Sequence, residues 1–160
     1  MNTTTRILIV DDEEVVRLSY MRILAGADCQ VKAVWTWDQV SQAMEEQAFD
    51  LVLLDLRMPG MDGLEVLRAL KARWPDSEVI IITGYPTLAS AKEAVTLGAY
   101  DYLTKPVGPA QVIAAANAAM LHKLWALHDD SARTARKDQE NRGPEAAGFP
   151  TNPDSLKEPS

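Results

Sequence analysis

Cysteine, clusters of basic residues and long apolar segments are all scarce in this sequence of 160 residues. The single cysteine, Cys29, excludes an intramolecular disulfide and favours a reducing compartment. Acidic residues outnumber basic ones by 23 to 16, and no stretch concentrates Lys and Arg, so we expect no direct contact with nucleic acid. No segment approaches the roughly 20 apolar residues of a membrane span. A cytoplasmic protein without membrane contact is therefore predicted.

Large apolar residues are also rare after residue 128. Only Phe149 and Leu156 stand among the charges, glycines and prolines of residues 129–160. Such a segment cannot offset an ordering entropy of roughly 1–2 kcal/mol per residue, so we predict a disordered polar tail there. Residues 1–128 are then left as one domain, long enough to bury an independent core. No output domain is expected.

The first 128 residues alternate between short apolar runs and segments with helical periodicity. The five runs typical of strands are Arg6–Val10, Gln30–Val34, Leu51–Leu54, Glu78–Ile82 and Tyr100–Thr104. Because the central runs lack polar alternation, both of their faces must be buried, as in a parallel sheet covered by helices on both sides. The predicted fold class is therefore α/β, a doubly wound five-stranded parallel sheet.

The stretch from Asp50 to Gly63 carries the first sign of chemistry. Its apolar run ends in Asp55, and a turn-rich loop with Pro59-Gly60 and Asp62-Gly63 follows. A carboxylate at the C-terminal end of a central parallel strand lies where open α/β sheets bind their ligands. An aspartate after a strand is also a common helix N-cap, so Asp55 decides little by itself.

Polar side chains follow other predicted strands at the same edge of the sheet. Asp11 and Asp12 end the first strand, Thr83 the fourth and Lys105 the fifth. Converging carboxylates repel one another, by about 4 kcal/mol for a pair roughly 4 Å apart at an effective dielectric constant near 20. Mg²⁺ suits this oxygen-rich set, and Lys105 adds an ammonium group. The set predicts a carboxylate nucleophile that attacks phosphorus while metal, ammonium and hydroxyl groups neutralise the transferred oxygens.

Four motifs give this pattern a family resemblance. They are ILIVDDEE, LVLLDLRMPGMDGLEVL, VIIITGY and GAYDYLTKPV, and together they resemble the receiver domain of bacterial two-component response regulators over about residues 6–120. The resemblance implies the flavodoxin-like (βα)5 fold with strand order 2-1-3-4-5. It also implies a signalling domain rather than an enzyme. Such a domain takes a phosphoryl group from a sensor histidine kinase or a phosphotransfer protein and then controls partner binding.

The resemblance further assigns roles at the acidic cluster. It implies that Asp55 is the phosphoacceptor and that Asp12 is a direct Mg²⁺ ligand. Asp11 would act mainly through metal-bound water, and the backbone carbonyl of Arg57 would supply another ligand. Mg²⁺ is therefore the expected cofactor.

Other roles implied by the resemblance concern the phosphoryl group and a conformational switch. Thr83 and Lys105 would hold the phosphoryl oxygens, and the Lys105–Pro106 peptide bond would be cis. Tyr102 matches an aromatic residue that turns inward when Thr83 is drawn to the phosphoryl group. The simpler interpretation of Tyr102 is an ordinary half-buried strand aromatic.

Two bulky residues lie where the family varies. Arg57 comes two positions after Asp55, and Tyr85 comes two positions after Thr83. We hypothesise that their side chains screen the phosphoryl group from water and lengthen its lifetime.

Two other functions compete with this interpretation. A haloacid-dehalogenase-type phosphatase also uses a strand-end aspartate and Mg²⁺, but it needs a second acid where Arg57 stands. The sequence also offers no cap domain. A phosphorylation-independent binding module on the same scaffold is disfavoured because every site position is occupied. Calorimetric Mg²⁺ binding and labelling with acetyl phosphate separate these functions.

The sequence is less informative about what the domain controls. Because residues 129–160 show no new apolar pattern, we favour a stand-alone receiver, with a fragment of a larger transcriptional regulator as the alternative. The last predicted helix runs to about Leu127, and its apolar stripe comprises Leu121, Leu124, Trp125 and His128. That stripe could pair with a second copy or with a downstream protein target. Packing on the domain itself would explain it equally well.

Overall fold

The structure is a computed structural model, and it describes residues 4–26 and 28–141. The chain divides into two units, residues 1–124 and 125–160. In chain order the elements are β1 (Thr5–Val10), α1 (Glu14–Leu24), β2 (Cys29–Val34), α2 (Trp37–Glu46), β3 (Leu51–Leu54), β4 (Arg57–Met58), β5 (Met61–Asp62), α3 (Gly63–Arg73), β6 (Glu78–Thr83), α4 (Leu88–Thr96), β7 (Asp101–Thr104) and α5 (Pro109–Asn141). Within these ranges no helix is both long and apolar enough to cross a membrane.

The five longer strands form one sheet in the order β2-β1-β3-β6-β7, and every pairing in it is parallel. Strands β4 and β5 form a separate antiparallel hairpin. Counted without that hairpin, the observed order is 2-1-3-4-5. The expected doubly wound α/β fold is therefore confirmed.

The sheet is buried on both faces because its central strands are apolar throughout. Alternate residues of β1, β3 and β6 enter two separate core layers, as the two-residue period of a strand requires. One layer, packed with α2, α3 and α4, contains Leu8, Val10, Val52, Leu54, Val79 and Ile81. The other, packed with α1 and α5, contains Ile7, Ile9, Leu51, Leu53, Ile80 and Ile82. The parallel pairing of these buried strands places their C-terminal ends at a single edge of the sheet.

The loop after β3 is more ordered than the sequence predicts. Where turn residues indicated a plain loop, Arg57–Met58 and Met61–Asp62 pair as a short hairpin. Gly60 turns this hairpin at a φ of 71°, which favours glycine. At Gly63 a Cβ atom would overlap the backbone of Leu56, so only glycine allows the start of α3 to pack there. These contacts hold the segment that follows Asp55 in place.

The last helix extends further than expected. It continues to Asn141, so residues 129–141 are helical rather than part of a disordered tail. Exposed Asp129 and Arg133 form an ion pair of 3.0 Å one turn apart, and Ala, Arg, Lys and Gln in this segment favour helix. The expectation of disorder for residues 142–160 lies outside the described residues, and the domain boundary after residue 128 stays a prediction.

Candidate functional site

Strand β1 delivers two carboxylates to the edge of the sheet. Asp11 directly follows the buried Val10, continues the strand pairing through its N–H to the Val34 carbonyl at 3.2 Å, and is only 2% exposed. Its Oδ1 accepts a hydrogen bond from the Glu13 N–H at 2.9 Å. Asp12, the next residue, is exposed. One acid is therefore built into the sheet, and the other faces solvent above it.

Asp55 reaches the same place from the neighbouring strand β3. Its N–H donates to the Val10 carbonyl at 3.0 Å, which keeps it in line with β1. The side chain is 5% exposed, and its Oδ1 accepts a bond from the Arg57 N–H at 3.3 Å. Two acids that are far apart in sequence thus become neighbours because β1 and β3 pair.

Lys105 provides the positive charge between these carboxylates. It follows β7, and its Nζ lies 2.8 Å from Asp11 Oδ2 and 3.2 Å from Asp55 Oδ2. Glu13 Oε1 is at 4.0 Å from the same nitrogen. The Lys105–Pro106 peptide bond is cis, as the resemblance implies. The ammonium group therefore bridges the two buried acids directly.

Burial and neighbouring charge change the protonation of this cluster in opposite ways. Burial raises the pKa of Asp55, Asp11 raises it further, and Lys105 acts against both. For Lys105, burial acts to lower the pKa, but the hydrogen bonds and charges of Asp11 and Asp55 outweigh it and the pKa is raised. Lys105 therefore stays an ammonium group at neutral pH, and its charge favours the ionised form of Asp55.

Thr83 completes the edge at the end of β6. Its side chain is fully buried, and its Oγ1 accepts a hydrogen bond from the Tyr85 N–H at 3.1 Å. That bond uses a lone pair of the hydroxyl group and leaves the O–H proton free to donate. The Lys105 N–H bonds the Thr83 carbonyl at 2.8 Å, so the two residues are fixed relative to each other.

Arg57 and Tyr85 meet above the cleft. The Arg57 guanidinium carbon lies 4.3 Å from the centroid of the Tyr85 ring, within the range of a cation–π interaction. Both residues line a cavity of about 280 Å³, whose other lining residues are Asp12, Glu13, Asp55, Gly84 and Lys105. The sequence predicts that both lie near Asp55 but does not predict that they stack.

Tyr102 lies on β7, which β6 separates from the strand that ends at Asp55. Its Cα is paired with Ile81, two residues before Thr83 on β6, and the half-buried ring packs on the core layer that contains Ile81. The Tyr102 hydroxyl lies 2.7 Å from Ser90 Oγ in α4. Tyr102 is thus placed beside the strand that carries Thr83 and is also attached to the next helix.

Two residues of this region are not among the predicted site residues. Glu13, which continues the acidic run after β1, lines the cleft, and Ser90 contacts Tyr102. The spacing of Thr87 and Ser90 could have indicated a capping box at the start of α4, but serine replaces the usual Glu or Gln at the second position.

The acidic cluster is compatible with a divalent cation. Carboxylate oxygens of Asp11, Asp12 and Asp55 all lie within 4.8 Å of one another. An all-oxygen set of carboxylates with an exposed side is the arrangement Mg²⁺ accepts, since it keeps several waters. The donor set therefore fits the expected ion.

Comparison with known proteins decides the family. The family model named response regulator receiver domain matches residues 7–117 of the chain. The chain belongs to this receiver family. The family consists of signalling domains rather than classical enzymes, and its members carry a Mg²⁺ site at an acidic pocket.

Curated relatives of this receiver are longer proteins. The DNA-binding transcriptional regulator NtrC of Klebsiella pneumoniae is 38% identical over 114 residues, which cover 71% of this chain and 24% of that protein. The alginate biosynthesis regulatory protein AlgB of Pseudomonas aeruginosa is 34% identical over 131 residues, covering 79% and 29%. The chain thus spans about a quarter of the length of the curated relatives it matches.

Solved structures agree on the fold. A CheY-like receiver domain from Methanospirillum hungatei superposes with a TM-score of 0.74 at 28% identity, covering 78% of this chain and 99% of that one. NtrX from Brucella abortus gives a TM-score of 0.77 at 28% identity, covering 82% and 30%. Both small and large proteins therefore contain this receiver fold.

Proposed function

We propose that this receiver domain accepts a phosphoryl group on Asp55 from a sensor histidine kinase or a phosphotransfer protein. The observation that carries the proposal is the Lys105 ammonium group, held at 2.8 Å from Asp11 and 3.2 Å from Asp55. A fixed positive charge beside a nearly buried carboxylate, with the Thr83 hydroxyl at the next strand end, is suited to the oxygens of a transferred phosphoryl group.

The proposed reaction is a direct displacement. A carboxylate oxygen of Asp55 attacks the phosphorus of a phosphohistidine, and an O–P bond forms as the N–P bond breaks, with the electron pair left on the histidine nitrogen. Lys105 and the free O–H of Thr83 bind the transferred oxygens. Asp12, Asp55 and the Arg57 backbone carbonyl would hold Mg²⁺, with Asp11 acting through metal-bound water, and the ion would neutralise charge on these oxygens.

Labelling with acetyl phosphate tests this proposal without a cognate kinase. We expect one phosphoryl group per chain in the presence of Mg²⁺ and none in excess EDTA, because the carboxylate cluster needs a compensating cation. Hydroxylamine should release the label, as it does for an acyl phosphate, and mass spectrometry should map it to the peptide that contains Asp55. A label that is independent of metal, or that maps elsewhere, would overturn the proposal.

The Arg57–Tyr85 pair supports a second proposal, that it shields the phosphoryl group from water. The side chains stack at 4.3 Å over the cleft, although 63% of Tyr85 is exposed. We expect Arg57→Ala and Tyr85→Ala each to shorten the phosphoryl lifetime roughly two- to five-fold, the factor that about 0.5–1 kcal/mol of an exposed cation–π contact represents. The measurement is the decay of radiolabelled protein after removal of the donor.

Arg68→Ala is the matched control for that experiment. Arg68 is an exposed arginine on α3 that pairs with Glu93 at 3.6 Å, outside the cleft. Its removal should leave the lifetime unchanged. Equal decay in the parent, Arg57→Ala and Tyr85→Ala would reject the shielding role.

The phosphoryl group would also drive the conformational switch. Phosphorylation adds roughly −1.5 to −2 charge and strong acceptor oxygens, so Thr83 would turn toward them. Going from about 1% to about 99% active needs about 5.5 kcal/mol of differential stabilisation. Two or three charge-assisted hydrogen bonds at about 1.5–3 kcal/mol each are sufficient. Tyr102, on the neighbouring strand, would then fill the space that Thr83 leaves.

For the output of the domain, the comparisons favour the alternative over a stand-alone receiver. Relatives such as NtrC and AlgB are named transcriptional regulators, and the chain spans about a quarter of their length. We propose that this receiver serves a regulator of that kind. A cytoplasmic location, the absence of direct contact with nucleic acid and pairing through the last helix stay predictions.

A further inference from the structure

The carbonyl group of Asp11 lies just beyond the paired part of the sheet. Strand β1 is in register with both of its neighbours as far as Val10, whose carbonyl accepts the Asp55 N–H at 3.0 Å. The next carbonyl, that of Asp11, is bonded by a side chain instead, because Arg17 Nη1 donates to it at 2.8 Å. A buried acid of the metal cluster is thus held through its backbone by a residue outside the cluster.

Helix geometry brings Arg17 to this carbonyl. Side chains of an α-helix tilt toward its N-terminus, so a residue near the helix start extends back over the preceding chain. Arg17 is the fourth residue of α1, which begins at Glu14, and its N–H bonds the Glu13 carbonyl at 3.0 Å. The Arg17 side chain can therefore reach Asp11, three residues before the helix begins.

Trp35 supports the guanidinium group from the neighbouring strand. It directly follows β2, and Val34 at the end of β2 is the register partner of Val10, so Trp35 lies at the same edge of the sheet as Asp11. The Arg17 guanidinium carbon is 4.5 Å from the centroid of the Trp35 ring, within the range of a cation–π interaction. A planar guanidinium group can stack through its face while it donates hydrogen bonds in its plane, so the two contacts are compatible.

We infer that Arg17 is a positioning residue for the Mg²⁺ site and that Trp35 keeps its guanidinium group in place. The peptide bond is planar, so the hydrogen bond to the Asp11 carbonyl also orients the peptide unit that leads into Asp12. Asp12 is exposed, so packing restrains its side chain little and the backbone must set its position. The inference rests on the proposed function, in which Asp12 binds the ion directly.

Arg17 does not act by contact with the phosphoryl group. Neither Arg17 nor Trp35 is among the described residues that line the cleft. Two effects on a bound ion remain, and they have opposite signs. The restraint on the Asp11–Asp12 peptide unit favours Mg²⁺ binding, whereas the positive charge of Arg17 opposes it. The sign of the change in Mg²⁺ affinity when Arg17 is removed therefore decides between them.

Arg17→Met tests the inference by calorimetry with Mg²⁺ alone. Methionine keeps an unbranched apolar side chain but has neither the hydrogen-bond donor nor the charge. The dissociation constant for Mg²⁺ should rise roughly ten-fold, the low end for losing a group that orients a metal ligand. If Arg17 contributed only its charge, the same variant would bind Mg²⁺ more tightly than the parent. An unchanged or lower dissociation constant, or a parent that binds no Mg²⁺, would overturn the inference.

Trp35→Leu tests the support separately, because it keeps the Arg17 donor. It should raise the dissociation constant for Mg²⁺ roughly two- to five-fold, the factor that an exposed cation–π contact represents. Because Trp35 acts through Arg17, the double variant should bind Mg²⁺ as weakly as Arg17→Met and no more weakly. Effects that add in the double variant, or no effect of Trp35→Leu, would reject the role of Trp35.

Arg73→Met is the matched control. The Arg73 guanidinium carbon lies 4.4 Å from the centroid of the Trp74 ring, nearly the distance of the Arg17–Trp35 pair, but Arg73 donates to Glu45 at 2.8 Å, outside the metal cluster. Its removal breaks an arginine–tryptophan contact of the same kind and should leave the Mg²⁺ affinity unchanged. A loss of affinity equal to that in Arg17→Met would show that the effect is not specific to the Asp11 carbonyl.

The Asp11 carbonyl carbon reports the hydrogen bond in the metal-free protein. Its ¹³C NMR signal depends on whether the carbonyl oxygen accepts a hydrogen bond, so it should shift in Arg17→Met and stay unmoved in Arg73→Met. Thermal unfolding without metal separates a merely structural role, which would lower the Tm of Arg17→Met but leave its Mg²⁺ affinity at the parental value. An unmoved Asp11 signal in Arg17→Met would overturn the inference.

These measurements need no phosphoryl uptake, so the inference and the proposed function can fail separately. If acetyl phosphate labels the parent but Arg17→Met binds Mg²⁺ as the parent does, Arg17 has no positioning role while Asp55 keeps its function. If Arg17→Met binds Mg²⁺ more weakly and its Asp11 signal shifts, but the parent takes up no label, the positioning role stands and phosphoacceptance falls.

Discussion

The Asp55→Asn variant should take up no phosphoryl group and should also resist unfolding better than the parent in metal-free buffer. The amide lacks a nucleophilic carboxylate, so labelling by acetyl phosphate should be lost completely. Asp55 is 5% exposed and shares one ammonium group with Asp11, so its negative charge lowers the free energy of unfolding. Removing that charge should raise the free energy of unfolding by on the order of 1 kcal/mol. Thermal unfolding without metal measures this gain.

The pH dependence of that gain has a definite sign. Because burial raises the pKa of Asp55, the folded parent binds a proton more tightly there than the unfolded chain does. Stability of the parent therefore falls as the pH rises from the ordinary aspartate pKa, about 3.9, through the raised pKa. The advantage of Asp55→Asn should be fully present above the raised pKa and should disappear as the pH falls through this window.

Asp62→Asn is the control for both readouts. Asp62 caps α3 through a 3.0 Å bond from the Leu64 N–H, and asparagine caps a helix equally well, so labelling and stability should match the parent. Excess Mg²⁺ should stabilise the parent and cancel the advantage of Asp55→Asn, since the ion binds a set that includes Asp55. A variant that still labels, or one that is less stable than the parent without metal at neutral pH, would contradict the account.

The edge of the sheet that carries these acids could be predicted because burial restricts which residues the strands can contain. Strands β3 and β6 are buried on both faces, so every position along them is under the same pressure to be apolar or sheltered. A polar residue directly after such a run is then conspicuous, and parallel topology brings the run ends together. The proximity of Asp55, Thr83 and Lys105 could therefore be predicted from the sequence.

The features that could not be predicted depend on side-chain orientation and on interactions between residues close in sequence. The stacking of Arg57 on Tyr85 and the Ser90–Tyr102 bond join residues whose separation in sequence carries no periodic signal. Strands β4 and β5 have two residues each, too few to show alternation. Residues 129–141 have the composition of a solvated tail, and composition does not show a pair one turn apart such as Asp129–Arg133, which favours a helix.

Lys105→Met should be the most damaging substitution that leaves Asp55 in place. It removes the only cation found between Asp11 and Asp55 in the described part of the chain. The side chains of these two acids are only 3% and 5% exposed. Two carboxylates left facing each other without an ammonium group should cost about 3 kcal/mol of stability, the low end for breaking a buried ion pair, because the cleft is open on one side. Denaturant unfolding in EDTA measures this loss.

Lys105→Met should bind Mg²⁺ more tightly than the parent but should take up the phosphoryl group more slowly. Without the ammonium group the acids attract the ion more strongly, so its affinity by calorimetry should increase and its stabilising effect should exceed that in the parent. The labelling rate should nevertheless fall by roughly 10²–10³-fold, the usual cost of losing one group that stabilises transferred oxygens. Stability restored by metal, without restored labelling, separates the catalytic role of Lys105 from its structural one.

Lys123→Met supplies the matched comparison. Lys123 is 17% exposed, against 16% for Lys105, and pairs with Asp50 at 2.7 Å outside the cleft. Asp50 is 33% exposed and still accepts a hydrogen bond from the Arg6 N–H at 2.8 Å, so water and this bond stabilise its charge when Lys123 is removed. The loss of stability in Lys123→Met should therefore be smaller than in Lys105→Met and insensitive to Mg²⁺. If both lysine variants lost equal stability, or if Lys105→Met labelled at the parental rate, the ammonium group would be an ordinary ion-pair partner rather than the centre of a phosphoryl site.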